Sequence, residues 1–303
     1  MPYRPSSPYA PRRRPRLTRR SRLAVRPRLT RRGRLAVLAG ALLALAVATA
    51  VPLLLLLPRD EPATPRVPPA PPTLLVPEGW RSTQVYEAVD RALALPDGTA
   101  RKVATAPAAA LGLPPEAAGN PEGYLFPATY PLPEGTTAEG LLRYMVATAG
   151  RRFGTAATAE AARAQGLTAH QALIVASIAQ AEADTPDDMA KVARVVHNRL
   201  ARGMPLQMDS TLNYALDRST VDTTVEDTRH TSPYNTYAHQ GLPPAPIGNP
   251  GEQAMAAALR PPAGDWLYFV TVAPGDTRFT ADYAAHQANV AEFNERRRQE
   301  GGN

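Results

Sequence analysis

The sequence of 303 residues contains no cysteine, so it forms no disulfide and offers no thiolate ligand to a metal ion. It also lacks a P-loop and a G-x-G-x-x-G fingerprint, which argues against a nucleotide-binding enzyme. The five histidines show no H-E-x-x-H or comparable ligand spacing, and the sequence therefore predicts no metal site. Acidic residues and lysine are absent from residues 1–34, which contain thirteen arginines.

These arginines divide the charge of the chain into two parts of opposite sign. The whole chain has 34 basic and 27 acidic side chains and a formal charge of +7. Without the thirteen arginines, 21 basic residues face 27 acidic ones, so the rest of the chain carries −6. A basic nucleic-acid-binding domain needs its charge on a folded surface. We therefore expect residues 1–34 to be a disordered cytoplasmic tail near anionic lipid, with nucleic-acid or partner binding as the alternative.

Residues 35–57 are 23 consecutive uncharged residues, enough for a helix that spans a hydrocarbon core of ~30 Å. Five leucines follow the alanine-rich part, which favours an uncleaved signal anchor over a cleaved signal peptide. Because the arginines precede this span, the positive-inside rule predicts a cytoplasmic N-terminus and a body outside the cytoplasmic membrane. Residues 58–73 are rich in proline and are expected to form an extended linker.

The folded body is expected to begin with a small α/β module over residues 74–145. Ser82 follows a Pro-Glu-Gly turn and can cap a helix. The segment 123–133, GYLFPATYPLP, is aromatic and β-prone, but its prolines argue against a central strand. Thr136 and Thr137 can cap a further helix.

Residues 146–303 are expected to form a second, helix-rich domain. Thr168 and Gln171 form a capping-box pattern that opens a helix over about 169–184. Pro186, followed by two aspartates, begins the next helix.

The end of this domain is expected to mix loops with one strand and one helix. Residues 204–265 are predicted to be loop-rich, because they contain many Pro, Asn, Thr and Tyr. Residues 266–272, WLYFVTV, predict a strand, and 281–298 predict a terminal helix. The whole pattern predicts an α+β fold with a transmembrane helix, a small α/β module and a helix-rich domain with a short sheet.

Glu182 is the side chain most suggestive of acid–base chemistry. It lies four residues after Ile178 and seven after Val175, which places a carboxylate on the apolar face of a helix. Burial and a position in the last helical turn both disfavour the anion and raise a carboxyl pKa, as a general acid requires. The alternative is a solvated glutamate at a fraying helix end.

Two polar segments, MPLQMDSTLNY at 204–214 and SPYNTYAHQGLPPAPIGNPG at 232–251, combine amides, hydroxyls and aromatic rings that suit a sugar. The candidate substrate-binding residues are Gln207, Asp209, Thr211 and Tyr214 in the first segment, and Tyr234, Asn235, Tyr237 and Asn249 in the second. The alternatives are an ordinary capped turn for the first segment and a structural Ω-loop for the second.

Six motifs occur in order: EGYLFPATY, ASIAQAEA, KVARVVHNRL, MPLQMDSTLNYAL, SPYNTYAHQGLPPAPIGNPG and WLYFV. With the single N-terminal span, they resemble the membrane-anchored endolytic murein transglycosylase (YceG-like) family. The resemblance covers roughly residues 74–297. The second acid of the family's A-S-I-x-E-x-E motif is its catalytic glutamate and corresponds to Glu182, while the first acid is replaced by Gln180. Arg278 stands where many relatives have a histidine before a phenylalanine.

The resemblance implies a peptidoglycan lytic transglycosylase, a carbon–oxygen lyase that cuts MurNAc–GlcNAc bonds inside nascent glycan strands. It would leave 1,6-anhydroMurNAc ends and terminate strand elongation without a cofactor or a metal. Asp209 is interpreted as a positioning residue, not as a second catalytic carboxylate. The resemblance also implies a LysM-like, sugar-binding character for residues 74–145 and cell-wall synthases as partners, and no nucleic acid is expected. A water-using muramidase and an inactive glycan-binding scaffold that recruits synthases are the alternatives.

Overall fold

The computed structural model describes residues 30–56, 71–106, 111–218 and 223–301. The chain divides into two units, Met1–Pro68 and Pro69–Asn303. Within the described residues, the first unit contains α1 (Arg31–Leu56) and the second contains every other element. The predicted tail up to residue 29 and the predicted linker over 58–70 lie outside the described residues.

Over residues 71–106, 111–218 and 223–301, the second unit consists of helices interrupted by four short strands. The helices are α2 (Ser82–Ala92), α3 (Thr99–Thr105), α4 (Ala138–Phe153), α5 (Ala156–Ala164), α6 (Ala169–Glu182), α7 (Pro186–Ala201), α8 (Asp209–Ala215), α9 (Glu252–Leu259) and α10 (Tyr283–Gly301). The strands are β1 (Thr73–Leu75), β2 (Thr129–Pro131), β3 (Tyr268–Ala273) and β4 (Asp276–Thr280).

Helix α1 covers residues 35–56 of the predicted span 35–57 and begins four residues earlier, at Arg31, so that three arginines belong to its first turn. Residues Arg31–Ala50 have a mean hydropathy of 1.9, and large side chains such as Leu42 and Leu43 are exposed. A helix this long and apolar is compatible with a membrane anchor.

The first part of the second unit has its own hydrophobic cluster, formed by residues between 74 and 146. Strands β1 and β2 pair antiparallel, with Leu74 opposite Tyr130. The β-prone segment therefore contributes only a three-residue strand, because proline cannot donate to a ladder and stands on both sides of Tyr130. Helices α2, α3 and α4 cover this ribbon through buried side chains such as Val89 and Leu142.

The two predicted helix starts in this region have different outcomes. Thr137 caps α4, because its hydroxyl accepts a hydrogen bond from the Gly140 N–H at 3.1 Å. The prediction that Ser82 caps α2 is wrong. Arg81 is the cap residue, its N–H donates to Oε1 of Gln84 at 2.9 Å, and Ser82 is already helical.

Helix α6 lies at the centre of the second cluster, which is formed by residues between 162 and 259. The predicted capping box is present, with Thr168 and Gln171 each accepting a backbone hydrogen bond from the other. Residues 172–179 are all buried, because α5, α7, α8 and α9 surround the helix. A helix that is apolar on every side belongs in a core.

The region predicted to be loop-rich contains two helices, and the prediction of a loop through 209–215 is wrong. Helix α8 begins at Asp209, whose negative charge suits the first turn of a helix. Helix α9 follows Gly251, whose N–H donates to Oε1 of Gln180 at 3.0 Å. Both helices are short, and contact with α6 supports them.

The last elements form a hairpin covered by a helix. The predicted strand begins at Tyr268, two residues late, and pairs antiparallel with β4, which the sequence pattern did not predict. Helix α10 packs on this hairpin. The helix-rich body with two small two-stranded sheets agrees with the predicted mixture of helix and strand.

Candidate active site

Glu182 is the last residue of α6, and its chain neighbour Ala183 is already extended. Ile178 and Val175, on the same face of the helix, are fully buried. Glu182 itself is half-buried. The central helix therefore ends in a carboxylate that is partly exposed.

Two residues at the start of α8 face Glu182. The N–H of Ser210 donates to Oε1 of Glu182 at 3.2 Å. Burial raises the pKa of Glu182, the hydrogen bonding of Ser210 opposes the rise, and the charge of Asp209 adds to it. A carboxyl group in these surroundings keeps its proton to higher pH than an exposed glutamate does, which suits a proton donor.

Asp209 is engaged by a tyrosine. The Tyr237 hydroxyl donates to Oδ1 of Asp209 at 2.6 Å. Burial and then this hydrogen bond raise the pKa of Tyr237, so the hydroxyl keeps its proton and remains a donor. The segment 232–251 thus fixes the direction of the Asp209 carboxylate beside Glu182.

Gln207 is exposed and has a left-handed backbone, with φ of 50°. Its N–H donates to the Thr236 carbonyl at 3.0 Å, and its Oε1 accepts from Arg199 at 3.3 Å. A non-glycine residue in this conformation costs free energy, and such strain collects at functional sites. Two anchors therefore hold an exposed amide at the entrance to α8.

An aromatic pair lies at the other end of α8. The rings of Tyr214 and Tyr234 have centroids 4.8 Å apart, and both residues are half-buried. The guanidinium of Arg81 lies 5.2 Å from the centroid of the Tyr214 ring. Both tyrosines combine an apolar ring with a polar hydroxyl, residue types that suit contact with a sugar.

Three of the candidate residues are fully buried, namely Thr211, Asn235 and Asn249. The hydroxyl groups of Thr211 and Thr236 hydrogen-bond to each other at 2.9 Å. The amide of Asn235 donates to the carbonyl of His230 at 2.7 Å. The first of these bonds joins α8 to the segment 232–251, and complete burial leaves the three side chains no surface for a ligand.

Asn249 joins the two hydrophobic clusters. Its Oδ1 accepts from the Leu125 N–H at 2.8 Å, and its Nδ2 donates to the Trp80 carbonyl at 2.8 Å. The structure therefore brings Glu182, Asp209 and Tyr237 together, places Gln207 just before α8, and places Asn249 at a separate junction. Among residues 30–56, 71–106, 111–218 and 223–301, no group of three His, Asp or Glu side chains is arranged to hold a metal ion.

The sequence profile of the YceG-like family matches residues 56–292, which is more than half of the chain. The chain belongs to the YceG-like family. A crystal structure at 2.6 Å of a YceG-like protein from Listeria monocytogenes is similar, with a TM-score of 0.64 and 32% identity. The similarity covers 72% of this chain and 76% of that one.

Two curated relatives of this YceG-like chain are named endolytic murein transglycosylase. The protein of Bacillus subtilis (strain 168) is 37% identical over 166 residues, which are 54% of this chain and 46% of the relative. The protein of Streptococcus pneumoniae serotype 2 (strain D39) is 34% identical over 177 residues, 56% of this chain and 32% of the relative. The match thus spans less than half the length of either relative.

The two departures from the YceG-like pattern have structural roles. Gln180 accepts the hydrogen bond that caps α9, so its side chain points to a helix start. Arg278 on β4 forms ion pairs with Asp276 at 3.0 Å and with Glu292 of α10 at 2.6 Å. Both residues hold neighbouring elements in place.

A second buried carboxylate, Glu122, was missed from the sequence. It is 3% exposed and belongs to the EGYLFPATY motif. Its Oε1 accepts from the Ser82 N–H at 2.9 Å and from Asn249 Nδ2 at 3.3 Å, and its Oε2 accepts from the Tyr214 hydroxyl at 3.1 Å. Burial raises the pKa of Glu122 to about 7 against the effect of the Ser82 and Tyr214 donors and of Arg81. The sequence feature that could have indicated a buried acid here is the position of Glu122 next to a run of aromatic and aliphatic residues.

Proposed function

We propose that this chain is a lytic transglycosylase that cuts peptidoglycan glycan strands internally, between MurNAc and GlcNAc. The observation that carries the proposal is the half-buried Glu182 at the end of α6, whose pKa burial raises and whose neighbour Asp209 is engaged by Tyr237. The names of the curated relatives support the same activity.

The proposed reaction needs one carboxyl group. Neutral Glu182 protonates the glycosidic oxygen as the bond from the anomeric carbon of MurNAc breaks, and GlcNAc leaves with a free hydroxyl. The C6 hydroxyl of MurNAc then attacks the anomeric carbon and gives its proton to the Glu182 carboxylate. This closes the 1,6-anhydro ring and restores the acid, with no water consumed. A hydrolase of the usual kind would need a second catalytic carboxylate.

We assign the candidate residues to substrate contact or to support according to how exposed each side chain is. Asp209 and Tyr237 lie beside Glu182, and Gln207 is exposed just before α8; these three side chains are proposed to contact the sugar near the cut bond. Tyr214 and Tyr234 offer a stacking surface farther along α8. Thr211, Asn235 and Asn249, which are buried, are proposed to hold these groups in place.

We further propose that α1 anchors the protein in the cytoplasmic membrane with the N-terminus inside and the second unit outside. The arginines before and within the first turn of α1 support this orientation. We propose a LysM-like, glycan-binding role for residues 74–145, whose separate hydrophobic cluster supports a module. Cell-wall synthases are the proposed partners, since they make the strands that such an enzyme cuts.

The test uses the full-length protein in detergent with purified glycan strands and mass spectrometry of the products. We expect anhydro ends from the wild type, and a loss of roughly 10²- to 10⁴-fold in turnover for Glu182→Gln. Glu160→Gln, an exposed glutamate on α5, is the matched control and should keep full activity. Reducing ends one water heavier would indicate a muramidase, and binding without products would indicate a scaffold. Full activity of Glu182→Gln would show that another group is the acid.

A further inference from the structure

Glu122 is a buried carboxylate that the proposed reaction does not use. Three donors from different segments converge on it: the Ser82 N–H at the start of α2, the Asn249 amide and the Tyr214 hydroxyl of α8. Burying a carboxylate costs free energy even when donors surround it. If Glu122 served only to hold these three segments together, a neutral side chain would stabilise the fold at least as well. The presence of a carboxyl group at this position therefore suggests a further role.

The geometry of α8 indicates what this further role of Glu122 is. Ser210 lies in the first turn of this seven-residue helix, where backbone N–H groups have no acceptor within the helix, and Tyr214 follows one turn later. Ser210 donates to Glu182, and Tyr214 donates to Glu122. The buried residues Thr211 and Leu212 pack α8 against the core. The hydrogen bonds of Ser210 and Tyr214 at its two ends set the orientation of its axis. A shift at Tyr214 would thus move Ser210 and its neighbour relative to Glu182.

We propose that Glu122 is a positioning residue for the transglycosylase reaction, because its hydrogen bond to Tyr214 holds α8 with Ser210 and Asp209 directed at Glu182. The inference rests on the proposed function. It ties the catalytic geometry to the first hydrophobic cluster, since the same carboxylate holds the start of α2.

The contacts of Glu122 depend on its ionisation. All three partners donate, so the carboxylate accepts every bond, whereas the neutral acid must itself donate from one oxygen. The titratable and charged groups that face it are Arg81 and Tyr86 from the start of α2 and its first turns, Tyr214 from α8 and Tyr234 from the segment 232–251.

These neighbours leave Glu122 to titrate near neutral pH. Burial raises the pKa values of the three tyrosines, so they stay neutral, and Arg81 is the charge that favours the carboxylate. With the pKa of Glu122 raised to about 7, the link to Tyr214 weakens as the pH falls through neutrality. Turnover should then show an acidic limb from Glu122, and a basic limb from loss of the Glu182 proton.

The test measures kcat and KM for anhydro products from about pH 5 to about pH 9 with the full-length protein. The variants are Glu122→Gln and Tyr214→Phe, which keep the size of the side chain. The controls are the exposed Glu160→Gln on α5 and the exposed Tyr283→Phe on α10.

We expect Tyr214→Phe to lower kcat by about tenfold to hundredfold, with KM nearly unchanged because the ring is retained. Glu122→Gln should lose the acidic limb, and both controls should match the wild type. If circular dichroism shows that Glu122→Gln does not fold, the kcat of Tyr214→Phe is the measurement that tests the proposal.

The outcomes separate the two proposals. If the wild type makes no anhydro product, the proposed function fails. If the wild type is active, Glu182→Gln is inactive and Tyr214→Phe keeps the wild-type kcat, then only the positioning role of Glu122 is overturned. A lower melting temperature with unchanged kcat and an unchanged acidic limb would overturn it as well, because it would show a role in stability alone.

Discussion

The backbone N–H of Ser210 in the first turn of α8 and the hydroxyl of Tyr214 one turn later each donate a hydrogen bond to a different carboxyl group of raised pKa. Ser210 contacts Glu182 at the end of the central helix. Tyr214 contacts Glu122 at the junction of the two hydrophobic clusters. One short helix therefore connects two acids that are sixty residues apart in the sequence.

Exposure assigns different roles to these two acids. Burial raises both pKa values, but Glu182 is half-buried whereas Glu122 is 3% exposed. A proton donor must reach the oxygen that it protonates, within hydrogen-bonding distance. The partial exposure of Glu182 suits the proposed role of proton donor, whereas Glu122 is enclosed by its three donors.

The first prediction concerns stability as a function of pH. Burial raises the pKa of Glu122 from 4.5 to about 7, so between these values the folded protein holds a proton that the unfolded chain releases. Stability should therefore fall as the pH rises through this window, with Glu122 contributing on the order of 3 kcal/mol of the loss. Denaturant unfolding of the full-length protein at several pH values measures it.

Glu122→Gln isolates this contribution. The variant cannot ionise, so its free energy of unfolding should decline less with pH than that of the wild type, and the remaining decline should come largely from Glu182. Glu139→Gln should follow the wild type, because that side chain is half exposed. Parallel curves for Glu122→Gln and the wild type would contradict the prediction.

The second prediction concerns Asp209→Asn and the basic limb of turnover. The charge of Asp209 raises the pKa of Glu182, and removing it should lower that pKa. Glu182 would then lose its proton at lower pH, so the basic limb of kcat should move to lower pH. The asparagine oxygen can still accept from Tyr237. Asp184→Asn, an exposed acid two residues from Glu182, should leave the limb in place. A shift to higher pH for Asp209→Asn would contradict this account.

The position of Glu182 could be predicted from the sequence because it follows from the helical period alone. Spacings of four and seven residues to Ile178 and Val175 place the three on one face, and the structure has this helix with both apolar residues buried. The capping box at Thr168 is equally local, since it depends on residues three apart.

The junction at Glu122 could not be predicted in this way. Its partners, Ser82, Tyr214 and Asn249, come from segments between 40 and 127 residues away, and no periodic pattern relates them. The same holds for α8, which is too short to be stable alone and forms where Thr211 and Leu212 are buried. Tertiary contacts determine both features.

The third prediction concerns Arg199, which is 6% exposed and braces the segment before α8. Its Nη1 donates to the Leu206 carbonyl at 2.7 Å, and its Nε donates to the Leu267 carbonyl at 2.7 Å. Lysine keeps the charge but lacks the planar guanidinium, whose separate N–H groups donate to the Leu206 and Leu267 carbonyls. Arg199→Lys should lower the free energy of unfolding by about 3 kcal/mol, because buried acceptors lose their donors. Arg202→Lys, at an exposed position, should change little. Equal stability of the two variants would contradict the bracing role.

The last prediction concerns Gly123, the residue after Glu122. Its φ is +85°, and a Cβ there would lie 2.6 Å from Cγ of Pro246. Gly123→Ala therefore adds a clash with the rigid proline turn to a left-handed strain of roughly 1–2 kcal/mol. Gly135 is the matched control, since its φ is +81° and no described atom lies within 4 Å of its added Cβ. Denaturant unfolding should show a larger loss for Gly123→Ala than for Gly135→Ala. Turnover should fall in Gly123→Ala only, because the clash should also displace the neighbouring Glu122. Equal losses of stability in the two variants would contradict the prediction, since they would show that Pro246 moves to accommodate the added methyl group.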